Sequence, residues 1–583
     1  MKVLIFATAY NGICQRVHKE LVQDGHIVDI ELSADHDQMF KSYCRFRPSI
    51  IVCPFLKHRI PDAIWRAVPC LVMHPGVAGD QGPSSLDWAI TNEKPYWGAT
   101  LLQANDEYDA GAIWDTVNFE TRKTSKSSTY RREVTRVGAQ MIRNAIRKFD
   151  MDNGYNGLSR SELNRIEHEW RPLMKQPDRA IDWQRDSGEL IAKKINAADS
   201  FPGVLDRIYT TPVYLYGARY EARSDIEAEP GMIVGHKDEA IARACKGGVV
   251  WIRQLRKSSP DHKLTDPDNP YFKLPALRAL NTQIAKGSQL SPLDSDIQGD
   301  IRVEIKNETA YLYFDFYNGA FSTEQCQQLL CEFKLLESRQ DIKVITLMGG
   351  QDFFSNGIHL NCIEAADNPA LESMRNIEAI DDLVEAIITC QSKLTVAALR
   401  SNAGAGGAIL PLACDYVIAR EGVVLNPHYK TMGLTGSEFW TYLLPKRVGK
   451  KKAYALTEEC LPLLATQALE INLVDEVFCE DWESYHQHLF DYCAKLTSSS
   501  QYKQLLKAKT TLRKEDEKAK PLLSYRTEEL REMKAIFNNP DSSYHKRRSN
   551  FVHKYSCGKT PERLRARQEF SEPRETSAVG TVA

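Results

Sequence analysis

Four apolar runs open the chain: KVLIFATA, HIVDIEL, RPSIIVCPFL and VPCLVMHPG. Each is short and bounded by polar or turn residues, the pattern of strands buried on both faces. Between the first two, CQRVHKELVQDG sets Val17, Leu21 and Val22 at helical spacing and closes at Gly25. Strand, helix and strand in that rhythm predict an open parallel α/β sheet, whose ligands bind beyond the carboxyl ends of the strands. The segment MHPGVAGDQGPSS begins at such an end.

The pattern changes after residue 165. TPVYLYGARYEA, GMIVGHK, AIARAC and GGVVWIRQLR are short β-like pieces separated by Gly and Pro, which predicts a small β-rich domain over 166–275. Residues 276–300 read as a connector. From 301, VEIKNETAYLYFDF alternates as a β-hairpin, STEQCQQLLCEFKLLES reads as an amphipathic helix with a Ser/Thr start and Glu324 in its first turn, and KVITLMGG is a buried strand. An α/β unit is expected over 301–478, a charged helical segment over 479–560 and a disordered tail over 561–583. The expected class is therefore multidomain α/β.

Composition narrows the function classes. A chain of 583 residues is too long for one core and implies two to four domains. Its formal net charge of −2 gives no basic field for nucleic acid or an anionic membrane. There is no apolar run of ~18 residues to span a bilayer. The opening MKVLIFATAY is too short and wrongly flanked for a secretory signal. The 14 cysteines form no C-x-x-C pair, and many lie in apolar runs, which argues for a reducing cytoplasm. No cluster with metal-ligand spacing is present, so no metal is expected.

The segment SNAGAGGAILPLACD carries small residues from Ala405 to Ala408, then an apolar run. It lacks the Lys and Ser/Thr of a Walker loop and the G-x-G-x-x-G of a dinucleotide site. A second turn, FFSNGIHL, follows the strand KVITLMGG and has Gly357 where a backbone can approach a ligand. With NGAFST, MGLTGSEFWTYLLPKRVG and LATQALEINLVDEVF, these segments resemble the crotonase (enoyl-CoA hydratase/isomerase) superfamily over about 301–555. That resemblance implies a coenzyme A thioester pocket with an oxyanion hole formed by the peptide N–H groups of Ile358 and Gly406. The two glutamates of the hydratases fall at Ile409 and Tyr429, so water addition is not expected. Tyr429 and Glu438 are the candidate acid/base groups, Glu438 alternatively capping the helix it precedes. His359 reads as a turn residue. Phe551 and Lys554 match the positions that contact the adenine end of coenzyme A; a solvated basic helix face is the alternative.

The first half carries a second resemblance. His74, Pro75, Gly82, Trp88, Gly98, Thr100, Asp109 and Gly111 stand in the order seen in the 10-formyltetrahydrofolate-dependent formyltransferases and hydrolases. DRAIDWQRDSGELIAKKINAADSFPG resembles the opening of that family's second domain. The resemblance implies formyl transfer from 10-formyltetrahydrofolate. An imidazole such as His74 can donate to a developing oxyanion, and a carboxylate such as Asp109 can hold it charged and move a proton. The family's Asn two residues before the His is Val72 here.

A one-carbon donor site fused to a coenzyme A pocket resembles the maturation proteins of nickel–iron hydrogenases. That implies formyl transfer to coenzyme A, decarbonylation of formyl-CoA to carbon monoxide, and hydrogenase maturation proteins or the hydrogenase large subunit as partners. Formylation of an amine, and a non-enzymatic folate- or CoA-binding scaffold, are the two rival readings.

Overall fold

The computed structural model describes residues 1–32, 35–152, 155–158, 166–258, 271–285, 289–295, 297, 299–555 and 558–566. Its architecture is multidomain α/β, as the apolar pattern predicts, with three main sheets.

The first sheet has six strands in the order Ile27–Glu31, Lys2–Ala7, Ile50–Phe55, Cys70–His74, Tyr96–Gln103 and Ile113–Glu120. The first four are parallel. The last two run antiparallel to their neighbours, so the sheet is mixed rather than wholly parallel as expected. The short connection between those two strands allows a hairpin but not the crossover that parallel pairing requires. Helices Gly12–Gln23 and Thr135–Met151 cover one face; Val17, Leu21, Val137 and Met141 pack there with Val3, Ile5 and Leu71.

A second, antiparallel sheet runs Ile233–Lys237, Ala240–Cys245, Gly248–Lys257, Thr211–Ala222, Val204–Ile208, with helix Gly188–Ala197 against it. The expected connector starts as a packed element. Ala276–Ala279 is helical, and Ala276, Ala279 and Leu280 are fully buried in this sheet's core. Three small or branched apolar residues at helical spacing supply that face.

In the third unit the chain winds as a spiral. Val344–Gly349, Leu394–Leu399 and Tyr416–Arg420 lie side by side in one sheet; each is followed at once by Phe353–Ser355, Asn402–Gly404 or Val424–Asn426 in a second, smaller sheet. Helix Thr323–Ser338 is closed by a capping box between Ser322 and Gln325; Glu324 instead pairs with Arg278 at 2.7 Å. Helices Leu522–Asn538 and Ser543–Val552 bury Met533, Phe537 and Tyr544 in the same core.

The halves are joined by polar contacts. Arg16 of the first helix bridges Glu20 at 2.8 Å and Glu480 at 2.5 Å. Arg131 reaches Asp352 and Asn318, each at 2.8 Å. The chain end also returns to the first sheet. Leu564 is buried in its core, Thr560 donates to Glu31 at 2.7 Å, and Arg565 donates to the same carboxylate at 2.8 Å. The expected disordered tail is thus ordered through 566; residues 567–583 lie outside the described residues. Among the described residues, no helix is long and apolar enough to cross a membrane.

Candidate active site

His74 is the last residue of its strand, paired with Thr100 on the neighbouring strand. Its Nε2 lies 2.8 Å from Asp80 Oδ2 and its Nδ1 3.5 Å from Asp109 Oδ1. Asp109 is held in a left-handed turn (φ 55°) and accepts the Gly82 N–H at 3.3 Å. The pairing of His74 with Asp109 is therefore present but loose. The tight partner is Asp80, which the sequence reading passed over as part of a glycine-rich turn. Asp80 is fully buried and also salt-bridged to Arg171. Burial alone would raise its pKa, but the His74 and Ser85 hydrogen bonds and the His74 and Arg171 charges outweigh that and hold it below 3.8. Val72 packs against the apolar cluster around Leu4, Phe6 and Cys53.

The second constellation lies in the spiral unit. Gly357 and Gly406 approach closely: a Cβ on Gly357 would lie 3.4 Å from the Gly406 nitrogen. The Ile358 N–H makes no hydrogen bond among the described residues. Gly406 is the second residue of a tight helical turn, where no carbonyl lies one turn earlier to receive its N–H. Glu438 sits against Gly406, so that a Cβ there would be 2.8 Å from Oε2 and closer to Oε1. Glu438 is 3% exposed. Burial pushes its pKa up to about 7, against weaker stabilisation of the carboxylate by Ser437. The following helix, Trp440–Val448, has no side-chain cap, so Glu438 does not serve as one.

Tyr429 is buried beside Gly436, and its hydroxyl has no hydrogen-bond partner among the described residues. Burial, with the Glu438 and Glu529 carboxyls adding to it, raises its pKa well above 10.0. Ile409 is core. His359 caps helix Leu360–Glu364, its Nδ1 accepting the Cys362 N–H at 3.2 Å, and burial lowers its pKa to about 4.

One cavity of about 2300 Å³ is lined by His74 and Asp109, by Ile358, Gly406, Tyr429 and Glu438, and by Phe551 and Lys554. Asp80 lies behind that lining. Phe551 is half exposed, with Lys554 Nζ 4.3 Å above its ring. Between the two ends, residues from all three units meet. Tyr317 donates to Asp199 at 2.6 Å, Lys273 donates to Tyr317 at 2.8 Å, and Ser127 donates to Asp199. Burial lowers the Lys273 pKa to about 7, with the Asp199 carboxylate opposing. Lys273 stands in no recognisable motif, and Asp199 lies inside the segment that resembles the second-domain opening without being singled out by it.

These features define a fusion of a formyltransferase-type half with a crotonase-type half. Residues 173–262 match the formyl transferase C-terminal domain, and 310–556 match the enoyl-CoA hydratase/isomerase family. The chain is 40% identical over 562 residues to the hydrogenase maturation factor HoxX of Bradyrhizobium diazoefficiens, covering 96% of each chain. It is 38% identical to HypX from Aquifex aeolicus solved in complex with tetrahydrofolic acid; the TM-score is 0.90, over 98% of this chain and 100% of that one. A methionyl-tRNA formyltransferase of Kosmotoga olearia is 22% identical over 38% of this chain and 71% of its own. The chain belongs to the HoxX family of hydrogenase maturation factors.

Proposed function

We propose that this protein makes carbon monoxide for the metal centre of a hydrogenase, moving a formyl group from 10-formyltetrahydrofolate to coenzyme A and then decarbonylating formyl-CoA. The single cavity shared by both constellations carries the reading. Its volume, about 2300 Å³, exceeds the ~300–1,000 Å³ of a pocket for one small ligand and suits two.

At the first end, Trp170, Leu173 and Phe201 expose apolar surface to the cavity that a pterin and its aminobenzoyl group could cover. The thiol sulfur attacks the formyl carbon, the carbon–nitrogen bond breaks, and the thiol proton ends on the folate nitrogen. His74, held on Nε2 by Asp80, has its loosely paired Nδ1 side toward Asp109, where a donor is needed for the developing oxyanion. Asp109 relays the proton.

At the second end, formyl-CoA has no α-carbon, so enolate chemistry is closed to it. The Ile358 and Gly406 N–H groups polarise its carbonyl, an arrangement worth ~3 kcal/mol or more per donor. Glu438, poised near neutrality, takes the formyl proton. The carbon–sulfur bond breaks with its electron pair on sulfur, carbon monoxide leaves, Tyr429 supplies the sulfur's proton, and the proton taken by Glu438 passes back to the Tyr429 oxygen, restoring both groups. Phe551 and Lys554 suit the adenine and phosphate of the carrier. No redox partner is required. We place this step in the cytoplasm, with the hydrogenase large subunit or its maturation proteins as recipients.

The test supplies the purified protein with 10-formyltetrahydrofolate, with and without coenzyme A, and traps carbon monoxide on reduced haemoglobin. Release that depends on coenzyme A supports the reading. A formylated amine without carbon monoxide would support the first rival, and binding without turnover the scaffold.

A further inference from the structure

Two consecutive non-glycine residues, Glu438 and Phe439, hold left-handed backbone with φ of 61° and 56°. Such conformations are unfavourable for residues with a Cβ and persist only where surrounding contacts impose them. The buried Glu438 N–H needs an acceptor, and a left-handed turn carries it away from the helix that follows. The acceptor is Asp381 Oδ1, at 2.8 Å, from the middle of helix Pro369–Thr389. Asp381 is fully buried, and among the described residues its Oδ2 has no partner. The Glu438 carboxyl accepts a long, 3.3 Å hydrogen bond from the Ser437 N–H. Tyr429 OH and Glu529 Oε2 are also buried without a partner among the described residues. The side chain is thus not fixed by its own polar contacts; its direction is set by the backbone turn.

We propose that Asp381 is a positioning residue for the decarbonylation: by holding the Glu438 peptide N–H it fixes the left-handed turn that aims the Glu438 carboxyl at Gly406. This rests on Glu438 being the base. The ionisable groups facing Asp381 are Glu438, Glu529 of helix Leu522–Asn538, and Arg526 of the same helix, whose guanidinium is engaged by Asp382 and Glu385. Burial, then the two glutamates, raises the Asp381 pKa well above 3.8. Asparagine reproduces its shape and keeps an acceptor oxygen for the Glu438 N–H.

The experiment supplies formyl-CoA directly to the full-length chain and follows carbon monoxide across pH. Asp381→Asn is expected to keep the wild-type kcat and pH midpoint. Asp381→Val, shorter and without the acceptor, is expected to lose about 100-fold in kcat with KM unchanged, the cost of a small misplacement of a reacting group. Equal losses in both variants, or full activity in Asp381→Val, would overturn the proposal. Should the valine variant not fold, Asp381→Glu, which displaces the acceptor by one methylene, must lower kcat instead, and unchanged kcat overturns the proposal. Glu438→Gln is run alongside. If it stays active, the base assignment itself fails; if it is silent while Asp381→Val is active, only the positioning role fails.

Discussion

Glu438 fills the space that a side chain on Gly406 would need, although 32 residues separate them in the sequence. The acid and the peptide donor are therefore in contact, and the glycine is required by the carboxylate as much as by any substrate. Gly406→Ala must push Glu438 aside. We expect at least a 100-fold loss of carbon monoxide release from formyl-CoA. Formyl transfer to coenzyme A at the other end, followed by thioester formation, should be unchanged.

The raised pKa of Glu438 sets two pH dependences. As the base it must be ionised, so kcat for formyl-CoA rises with pH through about 7 and then levels. Stability moves the other way. The folded state keeps a proton that the unfolded chain releases, so stability falls as pH rises from 4.5 to about 7 and is flat above. Glu438→Gln should abolish the rate profile and stabilise the protein at pH 8 by roughly 3 kcal/mol. Denaturant melts at pH 5 and pH 8 check the second claim.

Asp80 holds His74 from behind the cavity wall and takes the Arg171 charge as well. Asp80→Asn leaves the buried Arg171 with the exposed Glu169 as its remaining carboxylate. We expect a loss of about 3–5 kcal/mol in urea unfolding at neutral pH. Because the Asp80 pKa is lowered by folding, its contribution is present above pH 3.8 and lost as pH falls below it, so the variant and the parent should converge in acid. Formyl transfer should fall in the same variant, while release from supplied formyl-CoA should not.

The chain end supplies a fourth test. Stopping the chain at Gly558 removes the buried Leu564 and the Thr560 and Arg565 donors to Glu31, leaving Ser42. We expect about 2 kcal/mol of destabilisation from the leucine alone. Faster amide exchange in strand Ile27–Glu31 should localise it.

What the sequence made legible was local. His74, Asp109, Gly406 and Glu438 stand in short motifs whose residue types already suggest their chemistry. The structure bears out the multidomain α/β class that the strand and helix periods imply. What escaped is relational. Asp381 lies in IEAIDDLVEAI, where an acid pair reads as a solvated helix face, and only the fold brings it to a turn 57 residues on. Asp80 looks like an ordinary turn acid until Arg171, 91 residues later, is seen on its other side. Lys273 and Asp199 lie outside any periodic element and take their surroundings from two other units. The reversed strand Tyr96–Gln103, antiparallel to both its neighbours, differs from a parallel one only in its connections, which apolar runs do not encode.

The return of residues 560–566 to the first sheet bears on how the protein comes into being. A ribosome delivers strand Ile27–Glu31 early, but the Thr560 hydroxyl that its buried Glu31 accepts from lies 529 positions further on. The edge of the first sheet therefore waits for these partners until both halves of the chain have been made.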